Sequence, residues 1–210
     1  MELVEKIRRV HRTEGLRSVL EHVLRKIRHA VFHSNSAHWY ERDLTQPGNN
    51  APAGAVRVTF DGMEETLSWM QSLGMEYIVH PGEIAVARAN GHLFGAAKMD
   101  GRTVGYVKVG RREVFVQDFG KTISFPSDVA FIYDTYVLPE RRGQGIAGCL
   151  IQAAIAELQR RGFRIVRCHI PPWNRSSMRA FEKCGFRRRK YIRYARILGV
   201  RLFSFNPERL

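Results

Sequence analysis

The chain is poor in cysteine and in long apolar runs. Its 210 residues include only 3 cysteines, without C-x-x-C spacing, so neither a disulfide framework nor a cysteine-based zinc site is expected. No run of about 18 apolar residues is present, so the sequence predicts no membrane-spanning helix. The opening segment MELVEKIRRV lacks the apolar region of a secretory signal. These absences predict a cytoplasmic protein with reduced thiols and no metal.

Acidic residues are also scarce, because 34 Lys and Arg outnumber 20 Asp and Glu and give a net charge of +14. Between Arg160 and Arg201 there are 14 basic residues and one acid, Glu182, so the rest of the chain nets only +1. This stretch is either a solvated face that aids solubility or a docking surface for an acidic partner, such as acyl carrier protein or an anionic membrane. The arginines lack the interleaved aromatic residues of single-strand binders, and no specific nucleic-acid partner is expected.

The most informative segment is Tyr136–Gly148, YVLPERRGQGIAG. It follows a β-type run, Val129–Val137, and leads into a helical pattern, Ile146–Arg161. Glycines let the backbone approach a ligand, and the free N–H groups and dipole of a helix N-terminus favour an anion, above all a phosphate. The segment therefore predicts a phosphate-binding loop.

One interpretation of this loop is a dinucleotide site, because Gly143–Gly148 matches G-x-G-x-x-G. That fingerprint requires an acidic residue for the ribose about 20 residues later. The corresponding stretch, Phe163–His169, contains Arg164 and Arg167 but no acid. The remaining chain is also too short for the other strands of a doubly wound sheet, so this interpretation fails.

A second interpretation comes from two motifs. The sequence RGQGIA at Arg142–Ala147 resembles the Q/R-x-x-G-x-G/A pyrophosphate loop of the GNAT (N-acetyltransferase) superfamily, and VLPE at Val137–Glu140 resembles its V-x-P-E lead-in. Downstream, NRSS at Asn174–Ser177 and FEKCGF at Phe181–Phe186 are similar to that family's N-x-x-S and (Y/F)-E-K-x-G-F. The motifs occur in the family's order, and the resemblance extends from about residue 93 to 197.

The resemblance implies a mixed α/β (α+β) acyltransferase fold, with a central, mostly antiparallel sheet that splays at the cofactor cleft. The predicted domains are a helical amphipathic extension (residues 1–43), a linker (44–55) and the GNAT acyltransferase domain (56–210). Apolar residues at spacings of three and four between Leu16 and Val31 predict an amphipathic helix. Such a helix packs on its own domain, on a second subunit in a homodimer, or on an anionic membrane surface.

The resemblance also implies an acyl-CoA-dependent N-acyltransferase. The expected reaction transfers acetyl from acetyl-CoA, or another acyl group from another acyl-CoA, to a primary amine of a small molecule by direct attack in a ternary complex. Two alternatives stay open: a longer-chain acyltransferase that uses acyl carrier protein or acyl-CoA, peripheral at the inner membrane face, and a non-catalytic CoA-binding module. The implied cofactor-binding residues are Tyr136, Val137, Leu138, Arg141, Arg142, Gly143, Gln144, Gly145, Ile146, Ala147, Asn174, Ser177 and Phe181.

The catalytic residues are less clearly marked. The reaction needs a base for the amine and a proton for the leaving thiolate. Many family members have a tyrosine acid where this chain has Phe181. Asp134, a carboxylate in the middle of a predicted strand, is the first candidate base, and His169, at the end of the next strand, is the second. Tyr133 is a candidate acid, and Asn174 is alternatively a helix cap.

Overall fold

The computed structural model describes residues 32–46, 56–60, 62–75, 81–197 and 200–203. The amphipathic helix predicted within residues 1–31 and most of the predicted linker lie outside the described residues. The chain divides into two compact units: the described residues between 36 and 192 belong to one, and residues 32–35, 193–197 and 200–203 belong to the other. The cleft and the packing described below belong to the first unit.

The described helices are α1 (Met63–Ser72), α2 (Pro81–Asn90), α3 (Ile146–Arg160) and α4 (Arg175–Lys183). None of them is long and apolar enough to cross a membrane. The described strands are β1 (Phe32–Asp43), β2 (Arg57–Thr59), β3 (Leu93–Met99), β4 (Arg102–Arg111), β5 (Glu113–Val116), β6 (Lys121–Ser124), β7 (Val129–Val137), β8 (Ile165–Ile170), β9 (Arg187–Ile197) and β10 (Val200–Phe203).

Eight strands form one sheet in the order β10-β9-β1-β8-β7-β4-β3-β2, and β5 and β6 form a separate hairpin. The pairs β1–β8, β4–β7, β3–β4, β2–β3 and β9–β10 are antiparallel. The pair β7–β8 is parallel. Strands β7 and β8 are joined by α3, as expected for a parallel connection. The prediction of a mixed α/β fold with a mostly antiparallel sheet is confirmed.

Over residues 32–43, the strand β1 corrects the prediction of a helical extension that spans residues 1–43. Residues 38–43 pair with residues 165–170 of β8, and Trp39 and Tyr40 are fully buried. Leu44, the first residue of the predicted linker, is also buried, and its N–H donates to the carbonyl of Arg164 at 2.8 Å. The segment from Phe32 to Asp43 contains aromatic residues but no Val, Ile or Thr, so its strand signal is weak and its pairing in the sheet decides its conformation.

Two predicted turns are present where glycine is needed. Asp100 and Gly101 join β3 to β4 with φ of 49° and 75°, the left-handed conformation that a two-residue hairpin turn requires. Gly162, with φ of 79°, follows α3, and its N–H donates to the carbonyl of Gln159, as expected for a glycine that ends a helix.

The two faces of the sheet are covered differently. Helices α3 and α4 pack on one face, and the buried positions of α3 recur at spacings of three and four: Ile146, Leu150, Ile151, Ala154, Ile155 and Leu158. On the other face, Met70 of α1 packs on Tyr106, and Phe125, just after β6, stacks on Trp39 and Phe131. Each face thus buries an apolar layer, which is the dominant favourable contribution to folding.

Candidate active site

Strands β7 and β8 separate at one end of the sheet. Their paired residues run only from Val129–Ile165 to Ile132–Cys168, although β7 continues to Val137 and β8 to Ile170. Strand β4 still pairs with β7 as far as Val137. The side of β7 that faces β8 therefore has no ladder partner in residues 133–137. Open strand edges bind extended ligands through backbone hydrogen bonds, and the splayed cleft is as predicted.

A bulge in β7 lies at the start of this cleft. Lys108 pairs with Asp134, whereas the next residue of β4, Val109, pairs with Ile132, so Tyr133 is the extra residue. A bulge re-aims the side chains around it. Val109 and Ile132 belong to the core that α3 covers, and consequently Lys108 and Asp134 lie together on the other face of the sheet.

The loop between β7 and α3 is exposed throughout residues 139–145. Gly143 and Gly145 have φ of 80° and 78°, and a Cβ added to either would meet no atom within 4 Å. The backbone conformation, and not packing, therefore requires glycine at both positions. Gly145 is the N-cap of α3, and no side chain caps this helix end. Its first N–H groups remain available to an anion.

The two arginines of this loop differ in their contacts. The Nε of Arg142 donates to the carbonyl of Val137 at 3.2 Å, and its guanidinium lies 5.8 Å from the ring centroid of Tyr136. Arg142 thus braces the end of β7, where the N–H of Leu138 also donates to the carbonyl of Val104 at 3.0 Å. Arg141 is exposed and makes no ion pair with a described residue. Arg141 is therefore the arginine with an open guanidinium at the loop.

The other predicted loop residues fall into two groups. Gln144 is exposed, whereas the side chain of Ile146 is buried in the core and Ala147 is half-buried. The ring of Tyr136 stacks on Tyr106 with centroids 5.7 Å apart. Only the backbone of Ile146 can serve a ligand at this loop, since its side chain packs under α3.

Two buried polar atoms on the splayed segments have no hydrogen-bond partner, Oγ1 of Thr135 on β7 and Nδ1 of His169 on β8. Thr135 pairs with Val107 of the core under α3, whereas His169 stacks on Phe131 on the opposite face. Buried polar groups are normally hydrogen-bonded, so these atoms fit a polar ligand that passes between the strands. The sequence carries no signal that distinguishes Thr135 from an ordinary strand threonine.

Asp134 belongs to a cluster of charged groups on the face away from α3. The Nζ of Lys108 lies 2.8 Å from Oε1 of Glu83 and 3.1 Å from Oδ2 of Asp134. The hydroxyl of Tyr106 donates to the same Oδ2 at 2.8 Å. Lys108 and Glu83 are buried, whereas the side chain of Asp134 is 34% exposed. Lys108, Glu83 and Asp134 together carry a net charge of −1. The Oδ1 of Asp134 has no hydrogen bond to a described residue.

The cation of this cluster is firmly held. Burial lowers the pKa of Lys108, but the carboxylates of Asp134 and Glu83 outweigh burial, and the pKa lies above its ordinary value. The rings of Phe94, Tyr106 and Tyr133 lie within 5.3 to 6.0 Å of Nζ, so the ammonium also gains cation–π contacts. Burial and the adjacent Asp134 raise the pKa of Tyr106, which keeps its hydroxyl a donor to Asp134.

His169 and Tyr133 have partners of their own. The side chain of His169 is 6% exposed, and its Nε2 lies 2.7 Å from Oδ2 of Asp118. The hydroxyl of Tyr133 lies 3.3 Å from Nδ1 of His92. Burial, followed by Glu83 and Asp134, raises the pKa of Tyr133 well above its ordinary value. The side chain of His169 is less accessible than that of Asp134, and the catalytic roles of His169 and Tyr133 stay predictions.

The second motif has a clear structural role. Oδ1 of Asn174 accepts from the N–H of Ser177 at 3.1 Å, so Asn174 caps α4, which leaves its amide N–H₂ without a partner among the described residues. At the other end of α4, the N–H of Phe186 donates to the carbonyl of Phe181, and the N–H of Gly185 donates to that of Glu182.

This pair of bonds is the Schellman arrangement, with Phe181 against Phe186 as its apolar contact; their centroids are 4.9 Å apart. Phe181 is 4% exposed. The side chain of Phe181 therefore belongs to the core, and its role at the cofactor stays a prediction. The spacing in FEKCGF is accounted for by the end of a helix.

Two further features lie apart from the cleft. A surface cavity near the C-terminal end of α3 is lined by Arg111, Ser127, Arg160, Arg161, Gly162 and Phe163. It lies at the opposite end of α3 from the glycine loop. Within the described ranges, no group of three or more His, Cys, Asp or Glu side chains could hold a metal ion.

Comparison with known proteins identifies the class to which this fold and cleft belong. Residues 60–186 match the family model described as Acetyltransferase (GNAT) family, which is more than half of the chain. The chain therefore belongs to the GNAT family of acetyltransferases, and the resemblance in the two motifs is confirmed.

Individual relatives are more distant. An uncharacterized N-acetyltransferase of Methanocaldococcus jannaschii is 32% identical over 66 residues, which is 31% of this chain and 29% of that protein. An acetyltransferase of the GNAT family from Novosphingobium aromaticivorans is 20% identical with a TM-score of 0.50, over 79% of this chain and 64% of that one. A GCN5-related N-acetyltransferase from Kribbella flavida is 12% identical with a TM-score of 0.52, over 87% and 63%. At these identities the solved structures support the fold alone.

Proposed function

We propose that the protein is an acyl-CoA-dependent N-acyltransferase that transfers acetyl from acetyl-CoA to a primary amine of a small molecule, by direct attack in a ternary complex in the cytoplasm. The observation that carries this proposal is the cleft between β7 and β8, with its open strand edge from Tyr133 to Val137 beside the exposed glycine loop. Thr135 and His169 add unpartnered polar atoms to the same cleft.

Each part of the cleft has a role in this proposal. The N–H groups at the start of α3 and the guanidinium of Arg141 hold the pyrophosphate. The open edge of β7 binds the amides of the pantetheine arm, and the amide of Asn174 is a further donor. Acetyl-CoA supplies the activated thioester. A phosphate loop on one face and an acid on the other allow cosubstrate and acceptor to approach from opposite sides of the sheet.

Asp134 is the proposed contact for the amine. Its Oδ2 is held by Lys108 and Tyr106, and Oδ1 can accept a hydrogen bond from an ammonium group. A carboxylate in this position orients the acceptor and takes the proton that the amine must lose, directly or through one water. His169 is the second candidate base, and Tyr133 is a candidate acid. Asp118 beside His169 and His92 beside Tyr133 restrict the access of a substrate to these two side chains.

The first experiment is thermal stabilisation of the protein by acetyl-CoA, CoA, longer acyl-CoAs and NAD(P). At 100 times its Kd a ligand adds about 2.7 kcal/mol, which raises the Tm of a chain of this size by roughly 5–10 °C. Stabilisation by acetyl-CoA and not by NAD(P) supports the proposal and justifies an amine screen with thiol release as readout. No response to any CoA would contradict it.

A pair of matched variants makes this test specific to the loop. Gly145 and Gly162 lie at the two ends of α3 with φ of 78° and 79°. An alanine at either position costs about 1–2 kcal/mol, because a Cβ disfavours this conformation. Gly145→Ala should also weaken CoA binding, whereas Gly162→Ala should lose stability alone. Equal CoA affinity in the two variants would remove the loop from the binding site.

A second candidate function rests on surface charge. Arg175, Arg179 and Lys183 of α4 are exposed, as are residues 187–190 of β9, RRRK. Among the described residues, this surface favours a longer-chain acyltransferase served by acyl carrier protein or acting at an anionic membrane. Two results would favour this function over the first: a Tm that rises with the length of the acyl group, or binding to vesicles that contain anionic lipid but not to neutral vesicles.

A further inference from the structure

Trp173 is unusually exposed for its size. It is 79% exposed, compared with 41% for Leu73 and 45% for Tyr191, the other large apolar side chains that the structure describes as exposed. The two preceding residues are prolines, Pro171 and Pro172, which restrict the backbone. The following residue, Asn174, is fixed by its capping bond to Ser177. The tryptophan is thus presented to solvent from a constrained segment.

Trp173 lies at the cleft end of the sheet. It follows the end of β8, and the glycine loop follows the end of β7. Because β7 and β8 are neighbouring parallel strands, the segments that leave their ends emerge at the same edge. Trp173 also leads into α4, which packs with α3 on one face of the sheet. It is therefore on the side of the phosphate loop, and not on the side of Asp134.

The charges beside Trp173 are also open. Arg175 and Arg179 are one helical turn apart on α4, and both are exposed. Neither forms an ion pair with a residue that the structure describes. An exposed aromatic side chain followed, two and six residues later, by guanidinium groups without an ion pair to a described residue suits a ligand that combines a planar base with phosphate. The glycine loop at the same edge already accounts for one pyrophosphate.

We propose that Trp173, Arg175 and Arg179 form the subsite for the nucleotide end of CoA. Trp173 stacks on the adenine base, and the two arginines bind the phosphate on the ribose. This inference rests on the proposed function, because it takes CoA as the cosubstrate. It assigns a role to a side chain that neither the loop motif nor the downstream motif includes.

The test compares ligands that differ only in their nucleotide end, with Kd measured by calorimetry. Trp173→Ala should weaken CoA binding by about 5- to 100-fold, the range for loss of one stacked base, whereas Trp173→Phe should retain most of it. Neither variant should change the affinity for 4′-phosphopantetheine, which lacks the nucleotide. Arg175→Gln/Arg179→Gln should weaken CoA but not 3′-dephospho-CoA.

A spectroscopic readout and a control separate this inference from the function itself. The difference in tryptophan fluorescence between the unaltered protein and Trp173→Phe gives the emission of Trp173 apart from that of Trp39 and Trp69. CoA should quench this emission more than 4′-phosphopantetheine does. Tyr191→Ala removes an exposed aromatic side chain elsewhere and should leave the CoA Kd unchanged. Normal CoA binding by Trp173→Ala, or equal losses for both ligands, overturns the inference. No CoA binding by the unaltered protein overturns the proposed function.

Discussion

Replacing Lys108 by methionine tests how the charged cluster of the cleft is held together. Lys108 is fully buried between Glu83 and Asp134, at 2.8 and 3.1 Å. Methionine matches the length of the lysine stem but removes the charge. The buried carboxylate of Glu83 then loses the ammonium of Lys108, whereas Asp134 is partly exposed and still accepts from Tyr106. Most of the cost should therefore arise at Glu83.

The expected loss is large for one substitution. Removing one partner of a buried ion pair typically costs about 3–5 kcal/mol, because a charge remains in a poorly solvated position. For a chain of this size that corresponds to a Tm lower by roughly 6–20 °C. A second variant, Glu83→Gln/Lys108→Met, removes both charges and should recover most of the loss, since a pair replaced together is often close to neutral.

The assay is urea unfolding of the four proteins of this double-mutant cycle, repeated across alkaline pH. The folded-state pKa of Lys108 is raised. The contribution of its charge to the free energy of unfolding should therefore be complete below pH 10.5 and decline as pH rises through the raised pKa. The difference between the unaltered protein and Lys108→Met should therefore shrink only in that alkaline window. A Lys108→Met variant within 1 kcal/mol of the unaltered protein, or no recovery in the double variant, would refute the reasoning.

Three further predictions concern single side chains. Asp134→Asn should lower kcat/KM for the amine by about 10²-fold or more if Asp134 is the base, and unaltered kinetics across pH would remove it from the mechanism. Asn174→Ala should cost about 1 kcal/mol in urea unfolding through loss of the cap, whereas Asn174→Ser should retain it. A hydrogen bond from Arg160 lowers the pKa of Glu157 to about 2. The contribution of the Glu157 carboxylate to the free energy of unfolding should thus be lost as pH falls from 4.5 to 2. In the Glu157→Gln variant the free energy of unfolding should decline less over the same range.

Short-range patterns account for what the sequence predicted well. The Asp100–Gly101 turn, the glycine loop and the apolar stripe of α3 each depend on residues that are close in the chain. The strand β1 shows the converse, because it has no β-branched residue and its strand conformation depends on pairing with distant parts of the chain, β8 on one side and β9 on the other. The role of Phe181 at the cofactor stays a prediction, and the structure adds that Phe181 is buried and that its carbonyl accepts a hydrogen bond at the end of α4.

The candidate site could be predicted only in part for the same reason. Glu83 and Lys108 are 25 residues apart, and Tyr106 and Asp134 are 28 apart. No local pattern connects them. The bulge at Tyr133 brings Lys108 and Asp134 opposite each other, and a bulge depends on the pairing of two strands. The sequence identifies Asp134 as a carboxylate in the middle of a strand, but only the structure shows that its Oδ2 is hydrogen-bonded by Tyr106 and that its Oδ1 has no bond to a described residue.

The chain as a whole is strongly basic, whereas the group proposed to meet the amine is acidic. A net charge of +14 should attract an anionic cosubstrate and repel a cationic acceptor at long range. At about 0.15 M salt, charges more than about 8 Å away are largely screened, and Asp134 then dominates at the acceptor. Raising salt from 0.02 to 0.15 M should therefore increase the Kd for CoA while the KM for a cationic amine falls or stays constant. If the Kd for CoA and the KM for the amine increase in parallel, the two substrates experience the same electrostatic potential. That result would contradict the proposal that the sheet separates a basic side from an acidic side.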